Sequence, residues 1–227
     1  AVTAPLDAIP TLEELGLPPS GRVEVQRGGE SHALDCLGSF LAKRGERYRE
    51  AMSSPVTAEW ECSRLSTYLA YGNISMRTVY QQTEARRAEL KELRSNGQDI
   101  GKLWLKSITS FSKRLRWHCH FIQKMEDEPS LEFENISRAC DGMRENDFDE
   151  MRFEAWKSGH TGYPMVDACM RYLHHTGWIN FRMRAMLVSF ASYHLWLHWR
   201  PTSLYLARLF IDYEAGIHYS QSQMQSG

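Results

Sequence analysis

The 227-residue sequence lacks the features that mark several large classes of protein. Its longest uncharged stretch, residues 185–199, has fifteen residues and contains two histidines, whereas a membrane-spanning helix needs about twenty apolar residues. There is no Walker loop, no GxGxxG fingerprint and no GxSxG motif, which argues against an NTPase or a serine hydrolase. The chain also begins without a charged and then apolar leader. We therefore expect a cytoplasmic protein with no membrane association.

Close cysteine pairs are missing as well. The sequence has five cysteines and no CxxC motif, so neither a zinc site nor an iron–sulfur cluster is indicated, and reduced thiols are expected. The cysteines are Cys36, Cys62, Cys119, Cys140 and Cys169. His194 and His198 have the spacing of one helical turn, but no third ligand can be identified near them. No metal site is predicted.

The overall charge is close to balanced, but its distribution along the chain is uneven. The composition, with 27 basic and 28 acidic residues and 42% hydrophobic residues, is that of an ordinary globular protein. Residues 102–124 contain six basic and no acidic residues, residues 126–154 are strongly acidic, and residues 157–208 contain six basic residues and one acidic residue. If the two basic blocks meet in the fold, they would form a phosphate-binding surface; otherwise they are solvated helix faces.

Apolar residues recur at helical spacing from residue 31 onward, and no alternating strand pattern is present. The predicted helices span residues 32–52, 63–71, 76–95, 100–127, 149–157, 163–175, 180–199 and 202–213, the first of them capped by Ser31. Residues 1–30 hold four of the eight prolines and are predicted to form a linker or arm. The predicted fold class is all-α.

Residues 61–66, with the sequence ECSRLS, place hydroxyl and thiol groups and an arginine at a predicted helix start. Unpaired N–H groups and the positive end of the helix dipole suit a phosphate or diphosphate there. The alternative is an ordinary serine cap with no ligand.

Residues 153–200 read FEAWKSGHTGYPMVDACMRYLHHTGWINFRMRAMLVSFASYHLWLHWR. This stretch resembles the pattern AWxxGxTGYPxVDAxMRxLxxTGWxHNRxRMxxASFLxxxLxxxWR of the helical FAD-binding domain of the photolyase/cryptochrome family. The segments RLSTYLAYGNIS and DYEAG are similar to two further blocks of the family, so the resemblance extends from about residue 48 to residue 225. It implies an FAD-binding helical domain over residues 31–227. It further implies a blue-light-dependent FAD flavoprotein that repairs pyrimidine dimers in DNA by photoinduced electron transfer.

The resemblance implies one set of residues around FAD. The expected cofactor-binding residues are Tyr48, Cys62, Ser63, Arg64, Leu65, Ser66, Arg184, Asp212, Tyr213, Glu214 and His218. In the family, the ECSRLS position holds the phosphates, and Arg184 and Asp212 match a pair beside the isoalloxazine ring. His218 falls at the position facing flavin N5, where it is expected to donate a hydrogen bond or a proton.

A second set of residues is implied for the substrate, UV-damaged DNA. The expected DNA-binding residues are Arg114, Trp117, His118, Phe121, Trp178, Phe181 and Arg182. Trp117, Arg114 and His218 are the expected catalytic residues. Three family residues differ in this part of the chain: a glutamate is replaced by Arg114, an asparagine by Phe181 and a methionine by Ala185. These replacements leave open a cryptochrome-like blue-light photoreceptor without repair activity, and a helical scaffold without flavin remains a third interpretation.

The electron relay and the domain boundaries also follow from the resemblance. Of three relay tryptophans in the family only the middle one is matched, by Trp199, while Ser222 and Asn146 occupy the other two positions. Trp196, Tyr213 or Tyr219 would offer another path. Residues 1–30 are expected to be the link from an amino-terminal antenna domain that the sequence does not include, and the flavin domain is expected to be incomplete at its carboxyl end. No residue indicates which antenna chromophore would be bound, and a monomer is expected.

Overall fold

A computed structural model describes residues 10–19 and 21–227, and within these ranges the protein is built from helices and turns without a strand. The α-helices are α1 (Glu30–Ala42), α2 (Tyr48–Ala51), α3 (Pro55–Glu61), α4 (Ser66–Ala70), α5 (Met76–Ser95), α6 (Trp104–Asp127), α7 (Glu150–Ser158), α8 (Pro164–Thr176), α9 (Phe181–Ser189), α10 (Trp199–Leu209) and α11 (Ala215–Ser226). Short 3₁₀ turns occur at Arg44–Arg47, Pro129–Glu132 and Arg138–Cys140. The all-α prediction is confirmed. None of the helices in the described ranges combines the length and the apolar character that a bilayer crossing requires.

Local chemistry sets several of the helix boundaries. The Oγ of Ser75 accepts a hydrogen bond from the N–H of Thr78 at the start of α5, and the carboxylate of Asp149 caps α7 through the N–H of Arg152. These side chains satisfy N–H groups that have no partner in the first helical turn. Gly177 ends α8 with φ of 71°, a left-handed conformation that suits glycine.

The predicted single helix over residues 180–199 is wrong. Helix α9 ends at Ser189, Phe190–His194 forms one wide π-type turn, and Trp196 has φ of 60°, so the chain changes direction before α10 begins at Trp199. A residue with positive φ cannot continue a right-handed helix. Trp196 and Trp199 therefore do not share a helix face.

Two hydrophobic cores organise the described chain. One is formed mainly by α1, α2, α5 and α6, and it includes Leu37, Phe40 and Phe111. The other is formed mainly by α7 to α10 and includes Trp156 and Leu187. A third, smaller cluster contains Ala58, Trp178 and Ile211, and Cys62 packs against both this cluster and the first core. Cys62 and Trp178 are predicted site residues.

The last third of the predicted arm is hydrogen-bonded to the helical part of the chain. The N–H of Val23 donates to the carbonyl of His175 at 3.3 Å, the amide of Gln26 donates to the carbonyl of Arg64 at 2.7 Å, and the N–H of Gly29 donates to Asn73 Oδ1 at 3.2 Å. The first nine residues of the arm and residue 20 lie outside the described ranges. The role of the arm as a link to another domain stays a prediction.

Candidate functional site

A cavity of about 280 Å³ lies where the two cores meet. Its wall combines α2, the segment between α3 and α4, the start of α4, the segment between α8 and α9, α9, α10, the segment between α10 and α11, and α11. The lining residues are Tyr48, Cys62, Ser63, Arg64, Ser66, Trp178, Ile179, Phe181, Arg184, Ala185, Val188, Leu206, Phe210, Asp212, Tyr213, Glu214, Ile217, His218, Gln221, Ser222 and Gln225. Residues far apart in sequence, such as Ser63 and Arg184, therefore line one cavity.

The most polar part of the wall is an ion pair. Nη2 of Arg184 donates to Oδ2 of Asp212 at 2.8 Å, and Nε of Arg184 donates to the carbonyl of Ile179 at 2.8 Å. The guanidinium carbon lies 4.1 Å from the centre of the Phe210 ring. The side chain of Asp212 is only 3% exposed, against 23% for that of Arg184. The carboxylate therefore depends on this arginine for compensation of its buried charge.

Two polar atoms beside the cavity are buried without a hydrogen-bond partner. They are Oδ1 of Asp212 and Nη1 of Arg64. Because buried polar atoms are nearly always paired, an acceptor and a donor left open beside one cavity indicate a ligand with polar groups at two separate places. FAD offers N–H groups on its ring and phosphate oxygens on its diphosphate. The residues present therefore fit this cofactor.

The segment between α3 and α4 differs in part from the prediction. Cys62, Ser63, Arg64 and Ser66 line the cavity, but the side chain of Leu65 is 1% exposed and packs in the first core. Leu65 is therefore not a cavity residue, and only its backbone could face a ligand.

The predicted helix start at Ser63 is also wrong. Arg64 has φ of 61°, which interrupts any helix there, and α4 begins only at Ser66 and has five residues. A diphosphate at this place would be held by the side chains and N–H groups of the segment rather than by a long helix dipole. Burial raises the pKa of the Cys62 thiol to about 11, so that this thiol stays protonated.

The guanidinium of Arg64 lies 3.8 Å from the centre of the Trp178 ring. Trp178 is 6% exposed, so its indole supports the arginine from within the protein instead of standing open to solvent. Trp178 also lines the cavity, and its contact with DNA stays a prediction.

His218 does not have the donor role that was expected. Its Nε2 lies 2.8 Å from the carbonyl oxygen of Ser203, and because a carbonyl can only accept, Nε2 carries the proton of the neutral ring. Burial, together with the nearby charge of Arg184, lowers the pKa of His218 to about 4. At neutral pH the ring is therefore uncharged, and Nδ1 is a hydrogen-bond acceptor.

Because the pKa of His218 is lowered in the folded protein, the free energy of unfolding should decrease as the pH falls. The neutral ring is favoured in the folded protein, whereas the unfolded chain titrates near 6.5, so this stabilisation is fully present above pH 6.5 and is lost as the pH falls toward 4. The maximum contribution is about 3 kcal/mol. Urea unfolding of the wild type and of His218→Gln between pH 5 and pH 8 should show a steeper loss in the wild type. His175→Gln, at an exposed position, should keep the wild-type slope, and equal slopes in all three proteins would contradict the assignment.

An exposed aromatic pair flanks an arginine next to the cavity. Trp117 is 51% exposed and Phe181 is 47% exposed. The guanidinium of Arg114 lies 5.9 Å from the ring centre of each. Phe181 also lines the cavity, so the three side chains form a rim that a flat ligand group would meet first.

The remaining predicted DNA-binding residues have different surroundings. Arg182 is exposed. Phe121 is only 6% exposed and supports Trp117, with a ring-centre distance of 5.8 Å. His118 is partly buried, burial lowers the pKa of its ring, and its Nδ1 has no hydrogen-bond partner. Phe121 is thus a supporting residue and not a surface that DNA can reach.

Trp199 lies behind the cavity, not on its wall. It is 4% exposed, its Nε1 donates to Oδ1 of Asn135 at 2.5 Å, and its ring centre is 6.4 Å from that of Tyr219. Tyr219 is in turn 6.3 Å from Tyr213, which lines the cavity. These aromatic rings therefore form a continuous path from Trp199 to the cavity.

The other two relay positions do not extend this path, because Ser222 lines the cavity and Asn146 is exposed. The residues described here include no group of three or more His, Cys, Asp or Glu side chains that could hold a metal ion. His198, one of the two histidines considered for a metal, uses Nδ1 to cap α10.

The apolar half of the cavity wall was not predicted. Ile179, Val188, Leu206, Phe210 and Ile217 line the cavity, yet each belongs to a sequence pattern that equally suits a packed core. Gln221 and Gln225 were also missed, because α11 itself was not predicted.

Comparison with known proteins agrees with this geometry. A sequence profile described as the FAD binding domain of DNA photolyase matches residues 111–227. A deoxyribodipyrimidine photo-lyase of Alkalihalophilus pseudofirmus is 31% identical over 189 residues, which cover 82% of this chain and 35% of the relative. Cryptochrome-2 of Arabidopsis thaliana is 32% identical over 211 residues, which cover 88% of this chain and 32% of the relative.

The similarity extends to three-dimensional structure. The crystal structure of a bacterial class III photolyase from Agrobacterium tumefaciens is similar with a TM-score of 0.75 and 31% sequence identity, over 88% of this chain and 38% of that one. The chain thus spans about a third of the length of the relatives it matches. The profile match at residues 111–227 contains the cavity-lining residues from Trp178 to Gln225.

Proposed function

The chain belongs to the DNA photolyase/cryptochrome family and carries its FAD-binding helical domain, and on this premise we propose that it is a blue-light-dependent FAD flavoprotein that repairs pyrimidine dimers in DNA. Relatives with the name photo-lyase and relatives with the name cryptochrome match it at similar identity. The choice of the repair reaction rests on the exposed rim beside the cavity.

One observation carries the proposal: the buried Arg184–Asp212 pair and the Ser63–Arg64 segment face one cavity, and each leaves a buried polar atom open. Such a cavity suits a long ligand with a polar ring at one end and phosphates at the other. Bound FAD supplies the light absorption and the electron for repair.

The chain's own residues bind and orient the cofactor and the damaged DNA. Arg184 and Asp212 hold the ring edge, while Arg64, Ser63 and Ser66 hold the diphosphate through charged and hydroxyl groups. Trp117 and Phe181 take up an extrahelical base of UV-damaged DNA by stacking, and Arg182 contacts phosphate. Tyr219 and Tyr213 would offer a path along which Trp199 could donate an electron to the bound flavin.

A cryptochrome-like photoreceptor without repair activity is the second candidate, and Arg114 favours it. The guanidinium of Arg114 already covers the rings of Trp117 and Phe181, so a base has to displace it before stacking. A monomeric state and a cytoplasmic location stay predictions for either candidate.

Two measurements test the proposal in sequence. The purified protein, or the protein after incubation with FAD, should absorb between about 370 and 450 nm as a flavoprotein does; a colourless protein that takes up no FAD would leave only a helical scaffold. Illumination with an oligonucleotide that contains a pyrimidine dimer should then restore the intact bases. Absence of repair with FAD bound would favour the photoreceptor.

A change in the rim should weaken DNA binding without changing FAD binding. Trp117→Ala should weaken binding of dimer-containing DNA about tenfold, because stacking of one base on an aromatic side chain contributes about 1–3 kcal/mol. FAD occupancy should stay at the wild-type level, since Trp117 does not line the cavity. Fluorescence anisotropy with a labelled oligonucleotide measures the DNA affinity, and flavin absorbance measures the occupancy.

A matched control is available for this variant. Trp60 is 68% exposed, lies in α3 and is neither a rim residue nor a residue of the cavity wall. Trp60→Ala should bind the damaged oligonucleotide as the wild type does. An equal loss in the two tryptophan variants would show a general surface effect and would refute the rim assignment.

A further inference from the structure

We propose that Arg44 is a positioning residue that holds the Cys62–Ser63–Arg64 segment in the conformation that binds the diphosphate of FAD. This inference rests on the proposed function for the cofactor itself. It adds a residue that does not line the cavity and that the sequence comparison did not indicate.

The guanidinium of Arg44 donates hydrogen bonds both to α1 and to the stretch from the end of α3 to Ser63. Nη1 donates to the carbonyls of Cys62 at 2.6 Å and Trp60 at 3.2 Å, and Nη2 donates to the carbonyls of Cys36 at 3.0 Å and Ser63 at 3.3 Å. Its Nε donates to Oγ of Ser39 at 3.1 Å. One planar guanidinium thus ties α1 to the segment that follows α3.

The neighbouring carbonyls are also held. The Cys36 thiol donates to the carbonyl of Ser63 at 3.1 Å, and the Gln26 amide donates to the carbonyl of Arg64 at 2.7 Å. The carbonyls of three consecutive residues, Cys62, Ser63 and Arg64, are therefore all bonded by groups that lie outside the cavity wall, although the side chains of these residues line it.

The orientation of the carbonyls determines the orientation of the N–H groups. In a trans peptide the C=O of one residue and the N–H of the next point in opposite directions. With the carbonyls of Cys62 and Ser63 fixed on Arg44, the N–H groups of Ser63 and Arg64 point away from it, toward the side where the cavity lies. Successive N–H groups that point the same way form an anion-binding concavity.

Backbone strain explains why the segment needs a clamp. Arg64 has φ of 61°, a left-handed conformation that a residue with a side chain adopts at a cost of about 1 kcal/mol or more. Without the bonds from Arg44, the peptide planes at residues 62–64 would be free to rotate toward a conformation with negative φ. The N–H groups would then no longer converge.

The test is the affinity of the apoprotein for FAD in three variants. Arg44→Ala should raise the dissociation constant of FAD at least tenfold at a urea concentration and temperature where the variant remains folded. Arg44→Lys keeps the charge but not the planar fork, and it should raise the constant by a smaller factor, about threefold. The lysine variant keeps the test decisive if the alanine variant does not fold.

Arg86→Ala is the matched control. Nε of Arg86 donates to the carbonyl of Leu41 at 3.0 Å and so ties α5 to α1, but Arg86 has no contact with the segment at residues 62–64. Its dissociation constant for FAD should stay within about twofold of the wild type. Wild-type affinity in both Arg44 variants, or an equal loss in Arg86→Ala, would overturn the positioning role alone. A wild-type protein that binds no FAD would overturn the proposed function as well.

Discussion

Replacement of Arg184 by alanine is expected to raise the dissociation constant of FAD at least a hundredfold and to destabilise the apoprotein by about 3 kcal/mol. The variant leaves the carboxylate of Asp212, whose side chain is 3% exposed, without its partner at 2.8 Å. Loss of one member of a buried ion pair costs about 3–5 kcal/mol because the remaining charge is uncompensated. Urea unfolding of the apoprotein and titration with FAD, followed by flavin absorbance, measure the two effects separately.

A second variant separates charge compensation from cofactor binding. In Arg184→Ala/Asp212→Asn the buried charge is gone, so part of the lost stability should return, while FAD binding should remain weak because neither charged group is present. Trp117→Ala should retain FAD, since Trp117 is exposed and lies outside the cavity wall. Normal FAD binding in Arg184→Ala together with loss of FAD in Trp117→Ala would refute the assignment of the cavity.

The turn between α7 and α8 could be predicted because its sequence motif encodes local structure. Asp167 accepts hydrogen bonds from the N–H of Thr161 at 2.8 Å, the hydroxyl of Thr161 at 2.6 Å and the N–H of Gly162 at 3.0 Å. These hydrogen bonds lower the pKa of the Asp167 carboxyl against the opposing effect of burial. A turn that depends on one carboxylate leaves a recognisable spacing in the sequence.

Helix α11 could not be predicted for the opposite reason. Its sequence, AGIHYSQSQMQS, has no apolar stripe, yet His218, Tyr219, Ser220, Ser222 and Gln223 are all buried. The amide of Gln223 donates to the carbonyl of Leu131 at 2.8 Å and accepts from the N–H of Ile136. A polar helix that is buried by specific hydrogen bonds does not show the periodicity from which helices are predicted.

The sequence indicates which charged residues belong to the candidate site, but it does not indicate the contacts that they make. Arg184 and Asp212 stand 28 residues apart, and only the family resemblance linked them. Arg44 shows the limit more clearly, because four of its six hydrogen bonds go to main-chain carbonyls. Carbonyls are present at every residue, so such a contact leaves no pattern in the sequence. The tautomer of His218 likewise depends on one carbonyl brought near by the fold.

Replacement of Trp156 by alanine should destabilise the protein by about 3–5 kcal/mol, as expected for a large aromatic side chain removed from a packed core. Trp156 is 0% exposed, and its Nε1 donates to the carbonyl of Leu187 at 3.2 Å. Leu187 lies in α9, three residues after Arg184, so the indole supports the helix that carries the ion pair. The loss should appear as a lower urea midpoint without FAD, and it should be partly recovered with excess FAD, because a ligand that binds only the folded state stabilises it.

Two further tryptophan variants locate the source of this effect. Trp156→Phe keeps most of the apolar volume and loses only the hydrogen bond to Leu187, so its cost should be about 1–2 kcal/mol. Trp60→Ala, at a position that is 68% exposed, should change stability by less than about 0.5 kcal/mol. If Trp156→Phe proved as unstable as Trp156→Ala, the hydrogen bond to α9 and not the packed volume would be the dominant contribution. If Trp156→Ala were as stable as Trp60→Ala, the junction of α7 with α9 would not support the cavity.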